Sequence, residues 1–329
     1  MSALINEQLA FFKKNGYVVA PGLIPNQTLD NVITEYEGVL DTLVDEFYRK
    51  GKISSRFEGL EFGERFLMLV IDTGDVHKQY FDFSLPFANV KPDTPFWTGQ
   101  AVLDAFTCDP LIDAVSSIIG PEVYSNPVQH VRIKPPESIL PTNDLGQPIM
   151  GATKWHQDNG VVVEEADETD MLTVWFSLTD ADMEQGPLKV VPGSHHPGLL
   201  THCTNYQGIG GREIPERLFE VYETLPLPVK RGDVIFLHRH TVHGSLSNHS
   251  DRIRWSFDLR YNPIGQTTGR EAFPGWVVRS AENPELELRD AKVWTNLWLE
   301  TRKRMSKINQ GGQHDLAFGR WKEGHLDCA

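Results

Sequence analysis

The sequence lacks long apolar runs and an excess of basic residues, and each shortage excludes a class of protein. Among its 329 residues, no stretch approaches the roughly 18 consecutive apolar residues of a membrane-spanning helix. Lysine and arginine total 31 against 45 aspartates and glutamates, so the net charge is −14. An acidic chain is a poor partner for nucleic acid or an anionic membrane surface, and we expect it to bind neither. The oligomeric state is left open.

Cysteine is also scarce. Cys108, Cys203 and Cys328 lie far apart and form no CxxC pair. This pattern fits a reducing compartment and argues against both a disulfide framework and a zinc ribbon. The N-terminus shows no basic start followed by an apolar run, so no secretory signal is visible. We therefore expect a cytoplasmic protein.

Helical patterns occupy the first third and the end of the chain. Asn26 is a candidate N-cap for a helix with apolar residues at spacings of three and four. Asp109 and Pro110 open a second helix, which Gly120 stops. A final helix is predicted after Asp290 from one apolar stripe.

Short β-type runs separated by Gly, Pro and Asn fill the middle of the chain. Many short strands with turns between them are typical of a sandwich, jelly roll or barrel. The sequence therefore predicts one α+β domain over residues 1–329. Its jelly-roll core spans about residues 121–262, and helical flanks cover residues 1–120 and 281–310.

Alternation within one predicted strand indicates which face is internal. In VQHVRIK, residues His130, Arg132 and Lys134 share one face, and Gln129, Val131 and Ile133 share the other, largely apolar face. If helices cover the apolar face, the basic face lines the barrel. An inward arginine would then need an anionic ligand or a paired carboxylate. The alternative is an edge strand with its basic face in water.

The stretch KWHQDNG places an imidazole and a carboxylate two residues apart. In an extended strand, His156 and Asp158 share a face and can share a proton or a metal ion; the alternative is a solvated strand end. The segment GDVIFLHRHTVHGS supplies three further candidates, His238, His240 and His243. One of them would complete a set of two histidines and a carboxylate, which suits Fe(II) because it leaves coordination positions open.

A cationic strand follows this segment. In RIRWSFDLRY, the side chains of Arg252, Arg254, Ser256, Asp258 and Arg260 share one face. A guanidinium matches a carboxylate with two parallel hydrogen bonds, so an inward arginine could hold the far end of a dicarboxylate that chelates iron. The alternative is an ion pair within the strand or with the acidic loop of residues 164–170.

Several motifs follow one another in order along the chain: FFKKNGYVVAPGLIPNQTLDN, WHQD, TVWFSLTDADMEQGPLKVVPGSH, and GDVIFLHRHTVHGS with Asn248 and Arg254. Together they resemble the phytanoyl-CoA dioxygenase family over about residues 7–262. The resemblance implies a double-stranded β-helix core, which is a cupin-like jelly roll. It also implies an oxidoreductase that depends on Fe(II), 2-oxoglutarate and O2.

The resemblance also implies roles for individual residues. The metal ligands would be His156, Asp158 and His243, since the family ligand is the histidine before Gly-Ser. Because Asp158 is present, hydroxylation is implied rather than halogenation, in which a small residue replaces that carboxylate. Contacts to 2-oxoglutarate or the cofactor-facing wall are implied for Arg254, Ser245, Trp175, His130 and Arg132.

We therefore predict a dioxygenase that hydroxylates a small organic molecule or natural-product intermediate. The alternatives are a cupin-like metal enzyme that does not use 2-oxoglutarate and an inactive jelly-roll binding protein. The loops at residues 199–217 and 262–280 are candidates for a lid that sets the substrate.

Overall fold

A computed structural model describes residues 3–86, 88–142, 148, 151–204, 212–310, 320–321 and 324–328. Six of the α-helices described precede the block of strands between residues 123 and 279, and the seventh follows it. Within the described residues, no helix combines the length and the apolar character needed to cross a membrane. The helices are α1 (Asn6–Asn15), α2 (Asn26–Arg49), α3 (Phe62–Thr73), α4 (Lys78–Phe81), α5 (Gln100–Thr107), α6 (Asp109–Ile119) and α7 (Ala291–Gln310).

The strands form a large and a small sheet and one short ribbon. The large sheet has the order β1-β8-β3-β10-β2-β11, the small sheet has the order β7-β4-β9, and β5 pairs with β6. All of the strand pairs described are antiparallel. The strands are β1 (Tyr17–Ala20), β2 (Val123–Lys134), β3 (Leu172–Ser177), β4 (Leu188–Val190), β5 (Cys203–Thr204), β6 (Arg212–Glu213), β7 (Leu225–Leu227), β8 (Val234–His238), β9 (His243–Ser245), β10 (Arg254–Pro263) and β11 (Trp276–Arg279).

The outer face of the large sheet carries the main hydrophobic core. Alternate residues of β10, such as Trp255 and Phe257, are buried on this face together with Val131 and Ile133 of β2. The Trp255 ring lies edge-on to Tyr36 of α2, with their centroids 5.3 Å apart. Truncating a buried aromatic of this kind to alanine typically costs about 3–5 kcal/mol of stability. The helices therefore cover the apolar face, as the alternation in β2 predicts.

The inner face of the large sheet packs against the small sheet. Trp175 and Leu237 from the large sheet share a second apolar cluster with Leu188 and Val190 of β4. Polar and charged residues of β2 and β10 occupy the rest of this inner face. The arrangement of two packed sheets with flanking helices confirms the predicted α+β jelly roll.

The large sheet extends beyond the predicted core at both ends. Tyr17–Ala20 pairs with β8, and Trp276–Arg279 pairs with β2. The first of these strands has only four residues inside a segment that otherwise has helical patterning, so periodicity does not reveal it. Asn26 is the first residue of α2 and not its cap, because Pro25 precedes the helix and no side chain caps it.

The prediction that the cysteines form no disulfide is wrong for one pair. Cys203 and Cys328 form a disulfide across 125 residues of sequence, with their Cα atoms 5.5 Å apart. The physical reason is the path of the C-terminal segment, which returns to this loop: Thr201 Oγ1 donates to Asp327 Oδ2 at 2.7 Å. Separation along the chain carries no information about such a return. Cys108 is a free thiol.

Candidate metal and cosubstrate site

A cavity of about 160 Å³ lies between the two sheets. It has three parts, which we name by their residues. The triad is His156, Asp158 and His243. The clamp is Arg254 with Trp175 and Thr153, and the arginine wall is Arg132 with Arg270. All of these residues line the same cavity.

The backbone brings the two triad histidines together. The N–H of His156 donates to the carbonyl of His243 at 2.9 Å, and the reverse bond has the same length. Gly244 permits this pairing, because a Cβ there would lie 2.6 Å from the Thr153 carbonyl oxygen. The ring centroids of the two histidines are consequently 4.2 Å apart. A side chain at position 244 would clash with this carbonyl, which explains why a glycine follows His243.

Hydrogen bonds fix the orientation of both imidazoles. Nδ1 of His156 lies 2.8 Å from the carbonyl oxygen of Lys154, and Nδ1 of His243 lies 2.9 Å from that of Thr241. A carbonyl only accepts, so each Nδ1 carries the proton and each Nε2 keeps a lone pair. The Nε2 atoms lie 3.8 and 3.7 Å from the carboxylate oxygens of Asp158. One ligand atom from each residue falls within 4.8 Å of the other two.

The electrostatics keep this set ready for a cation. Burial, followed by the charge of His243, lowers the pKa of His156 to about 3, so its ring is neutral at physiological pH. Burial alone would raise the pKa of Asp158, but the charge of Arg260, together with the two histidines and the Thr173 hydrogen bond, outweighs it and holds this pKa below its usual range. Two imidazole nitrogens and one carboxylate fit Fe(II) with open positions.

Two side chains hold Asp158 in place, and a third supports one of them. Arg260 Nη2 donates to its Oδ1 at 2.5 Å, and the Thr173 hydroxyl donates to its Oδ2. Arg260 also pairs with Asp258, whose Oδ1 lies 2.8 Å from Nη1. Partners of this kind orient metal ligands, and removing one typically weakens metal binding or activity about 10- to 100-fold.

The clamp lies at the other end of the inner face. Arg254 is 1% exposed, donates to the Gly186 carbonyl at 2.6 Å, and has its guanidinium 5.6 Å from the centre of the Trp175 ring. Lys134, its partner across the β2–β10 ladder, donates to Ser245 Oγ at 2.8 Å. Burial lowers the pKa of Arg254 to about 10, and burial with the charge of Arg254 lowers that of Lys134. Two buried cations side by side form a site for an anion.

Two further predicted residues lie on the wall of β2. His130 lines the cavity and is held through Nδ1, which lies 2.9 Å from Asp82 Oδ2. Arg132 also lines the cavity, and its side chain is 38% exposed. Ser245 is buried behind the clamp, where its hydroxyl also accepts from the Thr153 N–H at 2.8 Å. The residues for which cosubstrate contacts are predicted thus lie in or directly behind one cavity.

The structure separates other candidates from this cavity. The Arg252 side chain is 64% exposed and lies before β10, 4.0 Å from Asp182. His238 accepts through Nδ1 from the N–H of His240 at 3.1 Å, and its ring lies tilted against that of His195, with centroids 5.1 Å apart. In the loop of residues 199–217, the glycines Gly208, Gly210 and Gly211 lie outside the described residues.

Sequence reasoning did not assign Lys134, Arg260 or Arg270 to the site. Lys134 and Arg260 alternate in step with Arg132 and Arg254, which the sequence places on the inner face of the sheet. The alternation was therefore a signal for both residues. Arg270 follows β10 in a loop, and no periodicity marks it. From the C-terminal segment, Trp321 Nε1 donates to the Gly160 carbonyl at 2.7 Å, beside the triad. Nothing local in the sequence predicts that contact.

Comparisons with known proteins agree on one family and one fold. The family model described as phytanoyl-CoA dioxygenase matches residues 12–256. Phytanoyl-CoA dioxygenase 1 of Oryza sativa subsp. japonica is 26% identical, covering 78% of this chain and 88% of its own length. The solved structure of the apo non-heme monooxygenase ThoJ superposes with a TM-score of 0.54 at 16% identity, covering 93% and 99% of the two chains. The non-heme alpha ketoglutarate dependent carbocyclase SnoK gives 0.50 at 18% identity, covering 86% and 90%.

Proposed function

The chain belongs to the phytanoyl-CoA dioxygenase family, and on this premise we propose that it is a non-haem Fe(II)- and 2-oxoglutarate-dependent dioxygenase. The substrate is a small organic molecule or natural-product intermediate. The observation that carries this proposal is the triad itself, with both Nε2 lone pairs facing the ionised Asp158. No other arrangement in the described cavity offers three converging ligand atoms.

We propose the following reaction: a substrate C–H bond, 2-oxoglutarate and O2 give the hydroxylated substrate, succinate and CO2. Fe(II) bound at the triad would activate O2, which is the oxidant. His156, Asp158 and His243 would hold this metal. 2-Oxoglutarate has two carboxylates. The one that does not chelate the metal needs a cationic partner elsewhere in the cavity, and the clamp supplies it.

The clamp residues act on the distal carboxylate of 2-oxoglutarate in this proposal. Arg254 supplies a planar fork, which can form two parallel hydrogen bonds to that carboxylate. Lys134 adds a second buried charge and positions the Ser245 hydroxyl. Trp175 packs beside the guanidinium. Each hydrogen bond to a charged group is worth roughly 1.5–3 kcal/mol, enough to select a dicarboxylate over a keto acid without the second carboxyl.

Succinate release tests the proposal. Purified protein is loaded with Fe(II) and ascorbate, and succinate formed from 2-oxoglutarate is measured in air and without O2. We expect oxygen-dependent succinate formation that His243→Ala abolishes and that the exposed Arg252→Gln change spares. Metal binding without any succinate would favour a cupin-like enzyme that does not use 2-oxoglutarate. Absence of both would favour an inactive binding protein.

We also propose that residues 1–329 form one domain, because β1 and β11 from either side of the core belong to one sheet. Limited proteolysis should give no stable fragment ending near residues 120 or 281. A stable fragment of the core alone would contradict this.

A cytoplasmic location stays our proposal from composition, and the Cys203–Cys328 bond is the observation against it, since disulfides are rare in the cytosol. Alkylation at the moment of cell lysis, followed by mass spectrometry, counts the free thiols. Three alkylated cysteines support the proposal. One alkylated cysteine, Cys108, contradicts it.

A further inference from the structure

A C-terminal segment packs against the backbone that follows the triad, and a disulfide holds it there. We call its described residues, 320–321 and 324–328, the strap. One end of the strap contacts the residues after Asp158, and the other end is bonded to Cys203. The proposed reaction uses no residue of the strap, so its position beside the metal site needs its own explanation.

The strap donates hydrogen bonds to the backbone directly after the triad carboxylate. Trp321 Nε1 donates to the carbonyl oxygen of Gly160 at 2.7 Å. Arg320 Nη1 donates to the carbonyl oxygens of Asn159 and Val162, at 3.2 and 3.5 Å. These bonds fix the path of the chain where it leaves the metal ligand.

An ion pair anchors the arginine of the strap. Nη1 and Nη2 of Arg320 lie 2.6 and 2.7 Å from the two carboxylate oxygens of Asp167, which is the two-pronged geometry that a guanidinium favours. The Arg320 side chain is 7% exposed, so water screens the pair little. The segment held in this way includes Val161, which lines the cavity. The strap therefore supports the metal-binding segment and part of the cavity wall.

A buried imidazole transmits the position of the strap to the triad. The ring of Trp321 stacks on His202, with centroids 5.0 Å apart and planes at 29°. Nδ1 of His202 lies 3.0 Å from the Leu200 carbonyl oxygen and thus carries the proton. Its Nε2 accepts the N–H of Gln157 at 3.0 Å. Gln157 is the residue between the two metal ligands of the WHQD motif, so this bond fixes the backbone that carries both.

The imidazole of His202 is enclosed on two sides. A Cβ at Gly160 would lie 2.1 Å from Cε1 of His202, so the ring approaches that backbone more closely than any side chain there would allow. The Trp321 ring covers the imidazole as well. Without the strap, His202 loses this contact and becomes free to tilt away from Gln157.

The disulfide fastens the strap to the same loop. Cys203 follows His202 directly, and its partner Cys328 lies at the far end of the strap. A hydrogen bond of 2.7 Å from Thr201 to Asp327 flanks the disulfide. A single hydrogen bond of this kind contributes little net stability, and a short segment held mainly by such bonds opens readily. The disulfide is therefore the main constraint on this end of the strap.

We propose that the Cys203–Cys328 disulfide is a redox switch for the metal site: its reduction loosens the strap and lowers the affinity for Fe(II). This inference rests on the proposed function, since it concerns regulation of the same Fe(II) site. It also fits the general behaviour of disulfides in reducing compartments, where they are usually transient and redox-sensing.

The exchange reaction needs a dithiol reductant. Cys203 is 1% exposed whereas Cys328 is half-buried, so the thiolate of the reductant attacks Sγ of Cys328. The S–S bond breaks, and Cys203 leaves as a thiolate that takes up a proton. The second thiol of the reductant then displaces Cys328, which is protonated in turn. The protein gains two electrons and two protons, and the reductant becomes a disulfide.

Hydrogen exchange of metal-free protein tests the first step, the loosening of the strap. Oxidised protein is compared with protein that has been treated with dithiothreitol and desalted without O2. We expect exchange at least about threefold faster after reduction in peptides covering residues 155–163 and 198–204. Peptides from α2, on the outer face of the large sheet, should be unchanged and show that the protein stays folded.

Anaerobic competition titration against a chelator tests the second step, the effect on the metal. Reduction should raise the Kd for Fe(II) about threefold to tenfold, less than the loss typical of a direct partner of a metal ligand. Reoxidation with glutathione disulfide should restore the affinity. Trp321→Ala should raise the Kd to a similar extent with its disulfide intact, because it removes the ring from His202.

Two cysteine variants separate the disulfide from other effects of the reductant. Cys328→Ser should match reduced wild type in both measurements and should not respond to dithiothreitol. Cys108→Ser, which changes the free thiol, should respond as wild type does.

Three results would overturn the inference: an unchanged Kd for Fe(II) after complete reduction, unchanged exchange at residues 155–163, or a Cys328→Ser variant that behaves as oxidised wild type. A response to dithiothreitol that persists in Cys328→Ser would overturn it as well. Failure of the proposed function is distinguishable, because oxidised protein would then bind Fe(II) and form no succinate while both measurements still report on the strap.

Discussion

Arg260 contacts the metal-binding carboxylate directly: its Nη2 lies 2.5 Å from Oδ1 of Asp158. The same guanidinium lies 2.8 Å from Asp258. These two ion pairs favour the charged forms of Arg260 and of both carboxylates. Burial opposes the charged form of Arg260, yet its pKa stays above its usual range. Arg260 therefore keeps Asp158 ionised and oriented, so that the remaining oxygen faces His243.

Replacing Arg260 with Gln should weaken Fe(II) binding about 10- to 100-fold near pH 7. Without the guanidinium, the pKa of Asp158 rises because the strongest of the interactions that oppose burial is lost, so a proton competes better with the metal. The loss should consequently grow between about pH 7 and pH 5. Anaerobic competition titrations against a chelator measure it. Arg252→Gln is the matched control; equal affinities for Arg260→Gln and Arg252→Gln would contradict this role.

The triad prediction concerns which histidines bind iron. His156→Ala, Asp158→Ala and His243→Ala should each abolish iron-dependent turnover, because each removes one of three ligands. His238→Ala and His240→Ala should leave iron bound, since their rings contact each other and not the triad. Metal analysis after anaerobic loading and desalting checks this. Iron lost from His240→Ala but kept by His243→Ala would reverse the assignment.

Strand alternation explains how much of this site could be predicted. Every second residue is apolar in β10 up to Tyr261 and at the end of β2, where Val131 and Ile133 flank Arg132, so the faces of Arg132 and Arg254 follow from this alternation alone. The alternation tells which face a residue lies on but not where along the strand it meets the site. Arg252, Arg254 and Arg260 have the same place in the alternating pattern. Nevertheless, Arg252 is exposed, Arg254 belongs to the clamp and Arg260 contacts Asp158.

Contacts between distant segments could not be predicted in this way. Arg270 enters the cavity because Gly269 packs its loop onto the segment after the triad, which depends on tertiary structure. The Cys203–Cys328 bond likewise depends on the return of the C-terminal segment. A four-residue strand such as Tyr17–Ala20 is too short for its period to be recognised, and only its pairing with β8 defines it.

Lys134 should contribute to cosubstrate binding. Its ammonium is buried beside Arg254 and donates to Ser245 Oγ and Thr153 Oγ1. We expect Lys134→Met to raise the Kd for 2-oxoglutarate by at least about tenfold and to spare Fe(II), because a buried charge and a hydrogen-bond donor are lost. Anaerobic titration measures both. The exposed Lys230→Met variant is the control, and an unaltered Kd in Lys134→Met would exclude the role.

Stability should fall in mild acid through His238. Burial, followed by the charge of His195, lowers the pKa of His238 from 6.5 to about 3. Below pH 6.5 the unfolded chain therefore binds a proton that the folded protein does not, and the free energy of unfolding decreases as the pH falls. Between pH 6.5 and 5 this residue accounts for at most about 2 kcal/mol.

Urea unfolding of metal-free protein at several pH values checks this effect. His238→Gln should flatten the decrease between pH 6.5 and 5, whereas His249→Gln should not, since the His249 side chain is 72% exposed. An identical pH dependence in wild type and His238→Gln would show that other groups are responsible.

The binding of 2-oxoglutarate to anaerobic Fe(II) protein tests the central claim most directly, because it needs the triad and the clamp together. Wild type should develop a saturable visible charge-transfer band, and His243→Ala should develop none. Arg254→Leu should raise the midpoint by at least about tenfold, the equivalent of ~1.4 kcal/mol, with Arg254→Lys intermediate and Fe(II) binding spared in both. No band in the wild type, or an unchanged midpoint in Arg254→Leu, would contradict the account.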